Sequence, residues 1–377
     1  MWLRYAFRVY PDTGQRVALA KAFGCARVVY NDAVRAREDA REQGMPFPTM
    51  GALSKRLITE AKRTEERAWL GEVSAVVLQQ SLRDLQSAYH NFAEGLKGRR
   101  PRVGAPRFKS RKDSRQSVRF TANACWRITD QGKLVLPKVG AVPVRWSRSL
   151  PCAPSSVTVI KDAAGRYFAS FVVETEDTPL PETDADVGID LGLAHFAVFS
   201  DGTKIDNPRF LRRAERKLKK AQRALSRTQK GSANRAKART TLARAHARVG
   251  DCRREFHHQL STKIIRENQA VYVEDLCVKG LGRTRLAKSV PDAGWAAFVH
   301  MLQYKAGRYG RTFAKVDRFL ASSQTCPICY RVDGPKPLHV RIWTCAGCGT
   351  EHDRDDNASN IVLAAGRKLA RAREAES

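Results

Sequence analysis

Two cysteine pairs, Cys326-Pro327-Ile328-Cys329 and Cys345-Ala346-Gly347-Cys348, stand fifteen residues apart. A C-x-x-C turn lets both sulfurs reach one ion at about 2.3 Å, and two such turns complete a tetrahedron. All four positions are then filled by protein, leaving none for water, so the pattern predicts one structural zinc ion. Cys25, Cys125, Cys152, Cys252 and Cys277 are scattered, and nine cysteines is an odd number. In a reducing cytosol this usage favours a metal site plus buried thiols over a disulfide framework. A thioredoxin-like redox role lacks its βαβ setting.

With 377 residues and 42% hydrophobic content, the chain has material for two or three domains. Its 68 Lys and Arg against 38 Asp and Glu give a formal net charge of +30. A surface of that charge seeks polyanions, and nucleic acid is the first partner to consider. No stretch approaches the roughly 20 apolar residues that span a bilayer, and Met1 to Pro11 lacks a signal peptide's apolar run. The expectation is a folded cytosolic protein with no membrane partner, in the prokaryotic cytoplasm or nucleoid.

Leu3 to Tyr10 reads as a strand. Asp12 with Gln15 three residues later forms a helix-starting cap. Leu19, Phe23, Ala26, Tyr30 and Ala33 then recur at helical spacing, as do Leu82, Leu85, Tyr89 and Phe92. Residues 12–95 are therefore expected to form a helical region, broken at Met45-Pro46-Phe47-Pro48. Lys97 to Arg115 is dense in Arg, Lys, Gly and Pro, and reads either as a phosphate-touching loop or as a solvated linker. From Val118 to Glu174 the pattern turns to strands, expected to form a small β-barrel.

After the acidic, Pro-bearing stretch Glu174 to Asp186, a second domain opens with Val187-Gly188-Ile189-Asp190 and a strand from Phe196 to Phe199. Two basic helices with apolar seams follow, broken at Gly231-Ser232, and should pair as a hairpin. A strand Ala270 to Glu274, a helix from Trp295 to about Tyr309 and a strand Thr312 to Asp317 complete the pattern.

Three groups of acids stand out. Asp190 sits in an apolar strand beside glycines that permit close backbone approach, and Glu274 ends another apolar strand. A buried carboxylate is costly unless it is paired or metal-bound. The third group, Asp353, Asp355 and Asp356, precedes an apolar helix and could also serve as its dipole partners. Acids delivered from separate parts of one domain suit Mg²⁺, a hard ion that takes oxygen ligands. Two such ions can activate water and stabilise a leaving oxygen without a side-chain base.

V-G-I-D190-L-G, V-Y-V-E274-D-L and D-R-D355-D-N-A resemble the three motifs of a RuvC-type nuclease domain, which has the RNase H-like fold. With the four-cysteine knuckle between the second and third motifs, the resemblance narrows to the TnpB family. Phe7-Arg-Val-Tyr10-Pro11, Phe23-Gly-Cys25-Ala-Arg27, Gly104-Ala-Pro106-Arg107-Phe108-Lys109 and Ser322-Ser323-Gln324-Thr325-Cys326 extend it over nearly the whole chain. Two departures are Cys277, where the family often has Asn, and the run Asn357-Ala-Ser-Asn360, one residue shorter than usual. The resemblance implies an RNA-guided DNA endonuclease related to type V CRISPR effectors, with guide RNA and target double-stranded DNA as partners. It implies Asp190, Glu274 and Asp355 as catalytic ligands of two Mg²⁺ or Mn²⁺ ions. Asp355 is preferred over Asp353 and Asp356 because the family's acid stands two before the Asn.

The resulting expectation is an α+β multidomain protein. Residues 1–185 form the N-terminal β-barrel with its helical insertion at about 12–95. Residues 186–325 form the RuvC-like domain with a basic hairpin at 208–260, 326–349 the zinc knuckle, and 350–377 the end of the RuvC-like domain. The rivals are a guide-bound repressor that does not cut, and a transposase acting directly on transposon DNA.

Overall fold

The computed structural model describes the whole chain except residues 285, 338 and 377, and the backbone alone at 279, 374 and 376. It divides into two compact units, Met1–Thr175 and Glu176–Ser377.

The first unit opens with β1 (Trp2–Val9), whose Tyr5, Phe7 and Val9 alternate into the core. The helix α1 (Thr13–Glu42) starts at the expected box: Asp12 accepts from the Gln15 backbone at 2.8 Å, and the Gln15 side chain accepts from the Asp12 backbone at 3.1 Å. Its stripe of Leu19, Phe23, Ala26, Tyr30 and Ala33 is buried. A short α2 (Met50–Ser54), irregular helical turns to Glu72 and α3 (Ala75–Leu96) follow. The Ser81 hydroxyl on α3 donates to the Ala26 carbonyl on α1 at 2.6 Å, joining the two helices inside the core.

The loop after α3 is anchored at Lys109, not free. Asn31 donates to the Lys109 carbonyl at 3.0 Å and accepts from its amide at 2.8 Å, while the ammonium lies 3.9 Å from the centre of the Tyr30 ring. Burial holds the Lys109 pKa below its ordinary value.

Six further strands are β2 (Gln116–Thr121), β3 (Arg127–Ile128), β4 (Lys133–Leu136), β5 (Gly140–Arg145), β6 (Ser156–Lys161) and β7 (Tyr167–Glu174). With β1 they form one curled antiparallel sheet in the order β2-β6-β7-β1-β5-β4-β3. β1 runs in register along all of β7, from Trp2 opposite Glu174 to Val9 opposite Tyr167. The strands expected from Val118 to Glu174 are present. The barrel expected of them is an open order here: β2 and β3 end the sheet, with no closing pair among the described residues.

The second unit is built on β8 (Asp186–Asp190), β9 (His195–Phe199) and β10 (Lys204–Asp206). The helices α4 (Phe210–Ser226) and α5 (Ala233–Glu267) pack on each other as a hairpin, with the Ser232 hydroxyl capping the second. Next come β11 (Ala270–Glu274), α6 (Val278–Leu281), α7 (Ser289–Ala293), α8 (Trp295–Arg308) and β12 (Thr312–Val316). The hairpin of β13 (Ile342–Thr344) and β14 (Glu351–Asp353) leads into α9 (Arg354–Glu376).

The five-stranded sheet has the order β10-β9-β8-β11-β12. Its first three strands are antiparallel, while β11 runs parallel to both β8 and β12. Strands covered on both faces read as unbroken apolar runs, as Val187 to Ile189 and Ala270 to Val273 do. One face packs on Ile264, Phe298 and Leu302 of α5 and α8. The other receives α9 through Tyr272, Val316 and Val362.

Helix α9 lies so close to β8 that a Cβ on Gly188 would sit 2.3 Å from the Ser359 carbonyl oxygen. The glycine is required by that approach. Gly188→Ala is therefore expected to lower stability by about 1–3 kcal/mol or more, because backbone must move to make room. Chemical denaturation checks this, and an unchanged midpoint would contradict the close docking of α9.

Candidate active site

Asp190 is the last residue of β8 and Glu274 the last of β11. These strands are parallel neighbours, and the pairing of Ile189 with Val273 puts the two acids one step further along at the same sheet edge. Both side chains therefore leave one face. Apolar strand interiors bring each carboxylate to this edge, where the neighbouring strand supplies another negative charge.

The charges oppose one another. Burial, then the negative charge of Glu274, then that of Asp355, pushes the Asp190 pKa up to about 8. Burial also raises Glu274, against the opposing effect of a hydrogen bond that its carboxylate accepts from the Ser322 hydroxyl.

The third acidic group divides its labour. Asp353 caps α9, accepting from the amides of Asp355 at 2.9 Å and Asp356 at 3.2 Å. The Lys204 ammonium holds Asp353 at 3.0 Å and Asp356 at 3.2 Å. The negative charge of Asp355 is among those that raise the Asp190 pKa. The partner of Asp355 is Arg341, whose guanidinium donates to both carboxylate oxygens at 3.1 and 3.3 Å.

Among the described residues, the four paired cysteines form the one group of candidate ligands whose donor atoms all lie within 4.8 Å. The three carboxylates stand wider apart, with Asp355 turned to Arg341. Cys326 Sγ is 3.6 Å from Cys348 Sγ, and Cys329 Sγ is 3.6 Å from Cys345 Sγ. A tetrahedron with bonds of about 2.3 Å has edges of about 3.8 Å, so this thiol set fits a structural zinc. The amides of Ile328 and Gly347 donate to Cys326 Sγ and Cys345 Sγ, as two folded knuckles should, and His352 Nε2 lies 3.2 Å from Cys326 Sγ. Partners of this kind orient the ligating atoms.

Sequence reasoning did not assign roles to Lys204, Ser322, Arg341, His352 or Asn357. Ser322 lies in the quoted S-S-Q-T-C segment, but nothing local in that segment announces a contact with a strand end 48 residues away.

Three family models match the chain: "Probable transposase", the OrfB protein of IS605, over residues 170–285; "Cas12f1-like, TNB domain" over 295–362; and "Helix-turn-helix domain" over 1–45. A Streptomyces pristinaespiralis protein named "Putative RNA-guided DNA endonuclease" is 46% identical over 367 residues, spanning 96% of this chain and 89% of its own. The chain belongs to the TnpB/IS605 OrfB family. A second relative, Escherichia coli K12 "Putative RNA-guided DNA endonuclease InsQ", is 28% identical over 96% of this chain and 92% of its own. Among solved structures, a Cas12f1–sgRNA–target DNA complex matches with a TM-score of 0.56 at 16% identity, covering 92% of this TnpB-family chain and 83% of that chain. The likeness establishes a shared mixed α/β fold. Within residues 1–45 the structure has one strand and a single 30-residue helix.

The Asp190 shift sets a pH dependence. An acid that keeps its proton to about pH 8 when folded, but to about pH 4 when unfolded, gives the folded state the extra proton across that window. The contribution of Asp190 to the stability of the metal-free protein is present below about pH 4 and is lost as pH rises to about 8. Asp190→Asn should reduce that loss and raise the melting temperature at the upper end. Parallel wild-type and variant curves would contradict a buried, charge-opposed Asp190.

Proposed function

We propose that this chain is an RNA-guided DNA endonuclease that hydrolyses phosphodiesters at Asp190, Glu274 and Asp355. The observation that carries the reading is the meeting of Asp190 and Glu274 at one edge of parallel strands, each the last residue of its strand, where burial and mutual charge raise the Asp190 pKa. Such a pair has a natural counterion in a hard divalent cation, and carboxylate oxygens are the donors that cation takes. The names of relatives matching over nearly the whole chain support the same activity.

In this reading Asp190 and Glu274 would hold the metal from the sheet edge, and Asp355 would be the ligand from α9, exchanging its contact with Arg341 for the ion. Two bound Mg²⁺ or Mn²⁺ ions supply the activation of water and the stabilisation of the leaving oxygen. The protein's own contribution is to hold three carboxylates on rigid elements and to occupy Asp353 and Asp356 elsewhere. The guanidinium of Arg341, freed from Asp355, is then available to a phosphate.

The order of the five-stranded sheet, three antiparallel strands extended by two parallel ones, supports an RNase H-like core of the RuvC type. The curled sheet of the first unit supports a barrel-like wall carrying the helices of residues 12–95. We assign residues 1–185 to that wall, 186–325 and 350–377 to the nuclease domain, and 326–349 to the zinc knuckle. The basic hairpin within 208–260 and the loop from Lys97 to Arg115 are assigned to backbone contacts with guide RNA and target DNA. A net charge of +30 suits that work, in which base pairing supplies sequence and the protein grips phosphates. No helix among the described residues is long and apolar enough to cross a membrane, and the proposed place of action is the cytosol or nucleoid.

The test is cleavage of target DNA by purified protein with and without its co-purified RNA. Asp190→Ala or Glu274→Ala should lower cleavage by at least about a thousandfold while RNA binding persists, in line with the loss of an essential catalytic group. Guide-dependent DNA binding without cleavage by the wild type would establish the repressor reading. Cleavage that needs no RNA would establish direct action on DNA.

A further inference from the structure

The segment between β12 and the first cysteine pair makes three attachments, and one of them ends on a proposed metal ligand. Ser322 is 7% exposed, and its hydroxyl donates to Glu274 Oε1. Its carbonyl accepts from Asn357 Nδ2 at 2.8 Å, and the same amide nitrogen donates to the Thr325 carbonyl at 2.9 Å. Asn357 is 2% exposed and stands two residues after Asp355 on α9. The Ala321–Thr325 turn is closed by Thr325, whose amide and hydroxyl both donate to the Ala321 carbonyl, at 3.0 and 2.8 Å.

The turn then passes straight into the cysteine cluster. Thr325 forms a β-bridge with Val332, the Asp333 amide donates to the Gln324 carbonyl at 2.8 Å, and the buried Cys326 receives the chain. One turn of five residues is thus tied to Glu274 by a side chain, to the start of α9 by Asn357, and to the knuckle by backbone.

We infer that Ser322 is a positioning residue for the Glu274 carboxylate, held at its post by Asn357 and by the folded cysteine knuckle. The inference rests on the reading of Glu274 as a metal ligand. A glutamate at a strand end has three side-chain torsions to order, and binding a divalent ion requires its oxygens to be presented in one place. The hydroxyl fixes Oε1 and leaves the carboxylate's other lone pairs for a cation. Because the turn is anchored to α9 beside Asp355, the same contact fixes Glu274 relative to the third acid. The knuckle therefore does more than fold itself: it sets the position of a ligand outside its own metal site.

Neighbouring donors do not perform this task. Arg318 and Lys315 are engaged by Asp275, next in sequence to Glu274. Lys204 is engaged by Asp353 and Asp356, and Arg341 by Asp355.

The experiment titrates Mn²⁺ into the full-length protein, freed of nucleic acid in high salt, and follows free Mn²⁺ by electron paramagnetic resonance, with zinc content measured on each sample. Wild type is compared with Asp190→Ala, Ser322→Ala, Ser322→Cys and Ser322→Thr. Loss of a partner that orients a metal ligand weakens affinity by about 10- to 100-fold. That loss is expected in Ser322→Ala with zinc unchanged at one ion per chain, and Ser322→Thr, which keeps the hydroxyl, should restore binding. If Ser322→Ala sheds zinc, Ser322→Cys decides, since it keeps the volume and removes the strong donor. Wild-type Mn²⁺ affinity in the Ala or Cys variant, alongside lost binding in Asp190→Ala, overturns the role of Ser322 alone. Undiminished binding in Asp190→Ala overturns the acidic metal site, and this role with it.

Discussion

Two carboxylates at the ends of neighbouring parallel strands repel each other, and burial sharpens the repulsion. Burial and the Glu274 charge push the Asp190 pKa up, and in the proposed function a divalent cation would relieve the same repulsion. The surrounding structure is arranged around that unfavourable pair. Apolar strand interiors fix where the carboxylates emerge, because Val187 to Ile189 and Ala270 to Val273 are gripped on both faces. Gly188 lets α9 rest directly on β8, the strand that ends in Asp190.

Charge around the pair is partitioned with little overlap. Lys204 draws Asp353 and Asp356 away, Asp353 in addition caps α9, and Asp275 is held by Arg318. Asp355 is bridged to Arg341, a residue between the two cysteine pairs. Ser322, leading into Cys326, holds Glu274. Two of the three acids are thus contacted by residues that flank or belong to the knuckle. A structural zinc, which the four thiols fit, would contribute folding free energy to the knuckle.

Local chemistry made much of this legible in sequence. The Asp12–Gln15 box, the helical stripe from Leu19 to Ala33, the apolar strands ending in acids and the spacing of Cys326, Cys329, Cys345 and Cys348 each follow from short-range rules, and the structure has all of them. Long-range pairing was not legible. The order of the seven-stranded sheet depends on β1 inserting between β5 and β7, which no period in β1 announces. Ser322 and Glu274 are 48 residues apart, and Asp355 and Arg341 meet only because a two-stranded hairpin folds back. The sequence preferred Asp355 over Asp353 and Asp356 only through the family resemblance; that Lys204 pairs with the other two is a property of the folded sheet and was not legible.

The proposed function unites these features as a metal-dependent site whose target would be chosen by RNA, the protein supplying charge and backbone contacts. The most direct measurement replaces the guide segment of the bound RNA and maps cleavage across a plasmid library. Cleavage should move to the sequence complementary to the new guide, with protein and metal unchanged. Cutting that stays at the old sequence would contradict the account.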